Sequence, residues 1–220
     1  MNILVIAPHA DDEIIGVGGT IAKEIDDGNS VFVCVVTKGT EPLFSDEFML
    51  QLREETIKCH KAIGIKKTYF LEYPSVMLEE QHRYEINQSL VHVLTEVKPE
   101  EVYIPHIGDM QKDHQIVAEC AMVALRPKYS FAPKKIYAYE TLSETGWNIP
   151  NIQNEFIPTS YVDISDFIEI KLKALQMFES QVAPFPNARS LEAVEALARY
   201  RGAVMNMNAA EAFTTIREIR

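Results

Sequence analysis

The sequence predicts an α/β fold: a mostly parallel sheet with helices on both faces. Three observations predict it. Short β-branched apolar runs recur along the chain, and most are followed by a stretch of helical period. The first two runs, NILVIA and SVFVCVVT, are almost continuously apolar instead of alternating, as strands buried on both faces are. Hairpin signals are few, so successive strands are expected to join through right-handed βαβ crossovers.

Asn2–Ala7 is the first strand. Residues 16–27 follow as a helix with a glycine-rich start, closed by Gly28 and Asn29. Residues 30–37 form the second strand and 38–44 a loop. Ser45 caps the next helix, with Asp46 and Glu47 placed to complement its dipole. That helix runs to Ile63, where Gly64 ends it. Residues 67–73 read as the third strand. The helix over 85–97 carries Ile86, Leu90, Val93, Leu94 and Val97 on one stripe, and Pro99 stops it. Residues 101–105 are the fourth strand, 106–112 a loop, 113–125 a helix and 135–140 the fifth strand. Residues 141–163 read as irregular. Ser165 is expected to cap a helix reaching 181, and a proline-containing loop over 184–187 leads to a last helix over 190–204. No repeat, low-complexity segment or linker divides residues 1–220, so the expectation is a single Rossmann-like domain.

Composition supports that reading. The chain has 220 residues, 47% hydrophobic and 24% charged, which excludes disordered, collagen-like and coiled-coil classes. No apolar run reaches the ~18 residues of a membrane helix. Residues 3–8 lack the basic flank and cleavage site of a signal peptide. Twenty-one basic against 32 acidic residues give a net charge of −11, without the basic face that nucleic acid or an anionic membrane requires. Cys34, Cys59 and Cys120 are odd in number, widely spaced and set in apolar patterns. They read as reduced core residues of a cytoplasmic protein. Homo-oligomerisation is left open.

The chemistry concentrates after the first strand, in Pro8-His9-Ala10-Asp11-Asp12-Glu13. A helix cap accounts for one or two of these acids. It does not account for His9, nor for three consecutive acids whose repulsion calls for a cation. His9 and Asp12, three apart, can be aimed at one point by a tight turn. Imidazole nitrogen and carboxylate oxygen suit zinc, whose catalytic sites use three protein ligands and keep one position open. In open α/β sheets ligands bind beyond the strand carboxyl ends, so the third ligand is sought after another strand. The end of the fourth strand offers His106, Asp109 and the pair Asp113-His114. His60 and His92 lie in amphipathic helices and His82 in a charged loop, and these three read as structural or solvated.

This order, P-H-x-D-D-E, then a glycine-rich helix start, then D-x-x-x-D-H after a later strand, resembles the LmbE-like (PIG-L) family of zinc-dependent N-acetylglucosaminyl de-N-acetylases. The likeness continues in Arg53-Glu54-Glu55, Ala62-Ile63-Gly64, Tyr139-Glu140, Val162-Asp163-Ile164-Ser165, Lys171, Ser180-Gln181 and Ala210-Glu211-Ala212-Phe213. It spans nearly the whole chain. The resemblance implies that His9, Asp12 and His114 hold the metal, that Asp11 is the general base and that Arg53 contacts sugar hydroxyls. Glu13 and Asp113 are expected beside Arg53 on the substrate. Zinc is the implied ion; iron(II) or another divalent metal accepts the same donors. The implied reaction removes acetyl from an N-acetylated amino sugar or its small soluble conjugate, with a base taking the proton of water and a second donor stabilising the oxyanion. One departure stands out. Many members carry histidine three positions before the third ligand, where this chain has Gln111. Gln111, or His106 in its place, is expected to act there, Gln111 being the nearer.

Three rival readings stand beside this one. Hydrolysis of a different sugar-linked amide shares every motif and is separated by substrate. A non-catalytic sugar-binding module rests on Gln111 alone. A dinucleotide-binding oxidoreductase would need the full glycine fingerprint, which Gly16-Val17-Gly18-Gly19-Thr20 lacks, and the acids before it would repel phosphate. Those glycines are expected to allow close helix–sheet packing.

Overall fold

The computed structural model describes residues 1–220. The elements in chain order are β1 (Asn2–Ala7), α1 (Asp12–Asp26), β2 (Ser30–Lys38), α2 (Asp46–Ile63), β3 (Lys67–Pro74), α3 (Arg83–Val97), β4 (Glu101–Pro105), α4 (Lys112–Ala124) and β5 (Lys135–Tyr139). They continue with β6 (Ser160–Asp163), α5 (Ile168–Gln176), α6 (Leu191–Val204) and β7 (Ala210–Glu218). One seven-stranded sheet forms, in the order β3-β2-β1-β4-β5-β7-β6. The first five strands are mutually parallel; β7 pairs antiparallel with β5 and β6 antiparallel with β7.

Both faces of the central strands are dry, and the two-residue strand period divides their side chains between two cores. Leu4, Ile6, Cys34, Val36, Val102 and Ile104 pack with Leu90, Val93 and Leu94 of α3 and Val117 and Ala121 of α4. Ile3, Val5, Val31, Val33 and Val35 pack on the other face with Ile14, Val17 and Ile21 of α1, Leu52 and Cys59 of α2, and Leu175 of α5. Each such burial contributes about 1.5–3 kcal/mol, which is why these runs tolerate no alternating polar residue. The glycines of α1 serve packing, as expected. A Cβ on Gly16 would come within 2.3 Å of the Tyr139 ring, and one on Gly19 within 2.7 Å of Ile164. All three cysteines are buried and unpaired.

The expected fold class holds, with local differences. Helix α1 begins at Asp12, four residues earlier than read, so the acids after β1 lie in its first turn. Helix α5 covers only Ile168–Gln176; Ser165 Oγ instead bonds Asp163 and the Ala209 N–H. Strand β6 lies in a stretch read as irregular, and β7 lies beyond the last element read. A buried acid interrupts the apolar face of β7. Glu211 accepts from the N–H groups of Gly19 (2.9 Å) and Thr20 (2.7 Å) and pairs with Lys171 Nζ (2.6 Å). Lys171 Nζ also donates to the Ile15 carbonyl, tying α1, α5 and β7 together.

The strand order places the site. From β1 the chain goes to β2 on one side and later returns as β4 on the other. The carboxyl ends of β1 and β4 therefore flank the point where strand order reverses, the usual location of a ligand cleft in an open α/β sheet.

Candidate active site

The turn after β1 carries His9, Ala10 and Asp11. The His9 N–H donates to Asp12 Oδ2 at 2.9 Å, folding that carboxylate back over the turn. Asp11 has φ 111°, a left-handed conformation that costs a non-glycine residue about 1–3 kcal/mol and persists only where its surroundings hold it. The holding groups are visible. The Asp11 N–H donates to Glu13 Oε2 (3.2 Å), Glu13 Oε1 meets His60 Nε2 (2.8 Å), and His60 Nδ1 meets Thr68 Oγ1 (2.7 Å). A buried chain from β3 through α2 thus supports the strained turn.

The loop after β4 brings the second half of the site. Gln111 is the N-cap of α4, its Oε1 accepting the His114 N–H at 3.2 Å, and His114 is fully buried in the first turn. His9, Asp12 and His114 each offer one ligand atom, and these atoms all lie within 4.8 Å of one another. His9 Nδ1 and His114 Nε2 are both 3.2 Å from Asp12 Oδ2. His114 Nε2 and Asp12 Oδ1 are buried without a hydrogen-bond partner, as befits donors that a shared cation would satisfy. The far nitrogen of each ring is engaged: His9 Nε2 by Asp113 Oδ2 (3.0 Å), His114 Nδ1 by Asp109 Oδ2 (2.9 Å). A carboxylate behind a ligating imidazole fixes its tautomer and raises its basicity. The donor set fits a divalent metal.

The charges are mutually adjusted. Burial alone would lower His9, but hydrogen bonds with Asp113 and Asp12 carry its pKa up to about 9. Burial also opposes protonation of His114, and the charges and hydrogen bonds of Asp12 and Asp109 lift it to about 10. Asp12 is held far below the carboxylate range, His114 and His9 outweighing its burial. Asp11 moves the other way. Burial, with Asp12 and Glu13 close by, raises it to about 8 against the pull of Arg189.

The cluster opens into a cleft of about 200 Å³. His9, Asp11, Gln111, Glu144 and Arg189 line it together with Phe44, Phe48, Met49, Leu52 and Arg53. Both Asp11 carboxylate oxygens are buried without a hydrogen-bond partner. The nearest cation is Arg189, its Nε 3.3 Å from Asp11 Oδ2 without hydrogen-bond alignment.

Of the residues expected here, His9, Asp11, Asp12, Gln111 and His114 come together, and Arg53 stands in the same cleft. Three do not stand where expected. Glu13 and Asp113 are buried behind the cleft. Glu13 is engaged by His60 and the Asp11 N–H, Asp113 by His9 and the N–H groups of Val76 and Leu78. They hold the turn and the His9 ring and do not line the cleft. His106 points away as well, its Nε2 3.1 Å from the Asn154 carbonyl and its ring edge-on to Phe156. Arg189 and Glu144 were not singled out from the sequence. The cation demanded by the three acids was read as a metal ion, and no spacing pointed to Arg189.

A deep cluster of two imidazoles and one carboxylate, with the Asp11 carboxylate beside it at the strand ends, has the donor set of a metal-assisted hydrolase. The chain belongs to the PIG-L family, whose model, GlcNAc-PI de-N-acetylase, matches residues 4–125. It is 28% identical over 190 residues to the diacetylchitobiose deacetylase of Thermococcus kodakarensis, covering 82% of this chain and 70% of that one. It is 25% identical over 193 residues to a probable N-acetyl-alpha-D-glucosaminyl L-malate deacetylase 2 of Bacillus anthracis, covering 83% and 82%. The structure is similar to that of N,N'-diacetylchitobiose deacetylase from Pyrococcus horikoshii complexed with its inhibitor MPG. The TM-score is 0.79 at 26% identity, with 98% of this chain and 84% of that one covered. No helix is long and apolar enough to cross a membrane.

Proposed function

We propose that residues 1–220 form one zinc-dependent deacetylase domain, which hydrolyses the N-acetyl group of an N-acetylated amino sugar or its soluble conjugate. The observation that carries this reading is the Asp11 carboxylate, buried without a hydrogen bond, faced by the Arg189 guanidinium and lining the cleft beside the His9–Asp12–His114 cluster. Family membership and the names of the relatives support the substrate class.

His9, Asp12 and His114 would hold the ion, Asp113 and Asp109 orienting the two rings. A divalent ion bound there supplies a Lewis acid and makes hydroxide available near neutral pH. Zinc is favoured by the two-nitrogen, one-oxygen donor set, and iron(II) is the alternative. Asp11 takes the proton of the attacking water as the O–C bond forms at the acetamide carbonyl. Gln111 lines the cleft with one amide N–H given to Asp113 Oδ2 (3.3 Å), and its other N–H donates to the developing oxyanion in this reading. The C–N bond then breaks, Asp11 returns its proton to the departing nitrogen, and acetate and a free amino sugar leave. Arg53, which lines the same cleft, binds sugar hydroxyls in this reading. The three buried thiols suit a reducing, cytoplasmic setting.

The test is acetate release from a panel of N-acetylglucosamine derivatives, with metal content measured in parallel. The reading requires release that chelation abolishes and zinc restores. Metal-loaded protein that frees no acetate from any of them overturns it.

A further inference from the structure

We infer that Arg189 is a catalytic residue, whose guanidinium stabilises the tetrahedral anion of amide hydrolysis. The inference rests on the deacetylase reading above. Arg189 lines the same cleft as Asp11 and Gln111. It lies in the loop between α5 and α6, and that loop fixes its backbone. The Arg189 N–H donates to Asn187 Oδ1 at 2.8 Å. The next residue, Ser190, is fully buried and caps α6, its Oγ accepting from the Ala193 N–H at 3.1 Å.

The side chain is flanked by acids and bonded to neither. Nε stands 3.3 Å from Asp11 Oδ2, yet it is buried without a hydrogen-bond partner. Nη2 stands 3.9 Å from Glu144 Oε1, beyond hydrogen-bond reach. Glu144 is itself tied to the loop that carries Gln111, its carbonyl accepting the Met110 N–H at 3.4 Å. A guanidinium is a rigid fork of N–H donors, and this one has donors to spare for an oxygen bound in the cleft. Lys38 and Arg53 also line the cleft, but their acid is Glu72 of β3.

The reaction brings that oxygen. As the O–C bond forms, the proton of water passes to Asp11 and the carbonyl π pair moves onto its oxygen. Asp11 loses its charge, and the same negative charge reappears on the tetrahedral centre beside it. Arg189, next to Asp11, is the counter-charge before and after this transfer, and its unused N–H groups gain a partner only once the anion exists. An interaction made only there raises kcat and leaves KM nearly alone. The C–N bond then breaks as Asp11 returns the proton to nitrogen, and acetate leaves. Gln111 is neutral and has one N–H committed to Asp113 Oδ2, so it brings the anion a hydrogen bond without a charge. Arg189 brings the charge.

The experiment measures kcat and KM on methyl N-acetyl-α-D-glucosaminide, zinc content and thermal midpoint for wild type, Arg189→Gln and Arg189→Lys. It also measures binding of the methylphosphonamidate of the same glucosaminide, an anionic tetrahedral analogue of the acetamide. Arg189→Gln should lower kcat about 100-fold, the scale of one oxyanion donor. Zinc should be retained and KM should stay within about twofold, while affinity for the phosphonamidate falls at least about tenfold. Arg189→Lys keeps the charge and loses the fork, so its kcat should fall between the two. If Arg189 acted only by holding Asp11, its loss would cost no affinity in an Asp11→Asn background; the inference requires Arg189→Gln to weaken phosphonamidate binding there too. Unchanged kcat in Arg189→Gln, a loss confined to KM, or phosphonamidate affinity unmoved in that background overturns the inference and leaves the deacetylase reading intact. Should Arg189→Gln melt early, Arg189→Lys carries the test, and a kcat equal to wild type overturns the inference. A wild type inactive on every N-acetylated sugar overturns the deacetylase reading and this inference with it.

Discussion

Replacing Asp109 with asparagine removes a charge and keeps a shape. In the native chain Asp109 Oδ2 accepts from His114 Nδ1 at 2.9 Å and Oδ1 accepts from Thr145 Oγ1 at 2.5 Å. Asp109 is fully buried, so water cannot substitute for it. The carboxylate forces the proton of His114 onto Nδ1 and leaves the Nε2 lone pair facing Asp12 and the cluster. In Asp109→Asn the amide oxygen can still accept from one of these partners, but the bond to the imidazole is no longer charge-assisted. The difference between a charged and a neutral hydrogen bond is about 1–1.5 kcal/mol, or close to tenfold in an equilibrium constant. Zinc affinity should therefore fall by about tenfold, at the lower edge of the range for outer carboxylates. Asp109→Ala, which also removes the acceptor of the Thr145 hydroxyl, should lower it by about 100-fold. The assay is zinc competition against a chelator of known affinity, with thermal melting run alongside. Unchanged affinity in an Asp109→Asn protein that melts normally would refute the reasoning, because His114 would then hold its tautomer without help.

Further outcomes follow from the same geometry. Gln111→Ala should cut turnover ~10²–10³-fold if its amide serves the oxyanion, whereas His106→Ala should act mildly, since its ring faces Asn154 and Phe156; kcat on one sugar ranks the two. In the chelated protein His9 and His114 are raised to about 9 and 10, so their contribution to stability is complete below their unfolded pKa of ~6.5 and is lost as pH rises through those values. Asp11, raised to about 8, adds a penalty that grows over the pH range below that value. Chelated protein should thus melt lower at alkaline pH than near pH ~6.5, and a midpoint rising over that interval contradicts the assignment. Lys171→Met leaves Glu211 buried without its cation and should cost ~3–5 kcal/mol in urea unfolding.

The central strands and their order of use were legible because burial on both faces writes itself into composition. NILVIA and SVFVCVVT have no polar position to spare. The acids and imidazole after β1, and the candidate donors after β4, were legible because parallel topology sends functional groups to the strand ends, and the family resemblance singled out His114 among them. What was hidden has local causes. Strand β7 carries Glu211 on its inner face, an acid that only the distant Lys171 and the α1 amides make tolerable. The roles of Glu13 and Asp113 depended on His60 and on the Val76 turn, partners 47 and 37 residues away in sequence. Arg189 reaches Asp11 from a loop 178 residues later, and no spacing rule connects them.

The most direct test of the account is a paired measurement on Asp11→Asn: metal content and acetate release from an N-acetylglucosaminide. Asp11 is not among the three grouped ligands, and its buried oxygens are free of hydrogen-bond partners. The variant should keep its zinc and lose ~10²–10⁴-fold in turnover, the range for a positioned acid–base group. Near-full activity would contradict Asp11 as the base, and loss of the metal would contradict the division of the site into three ligands and one free carboxylate.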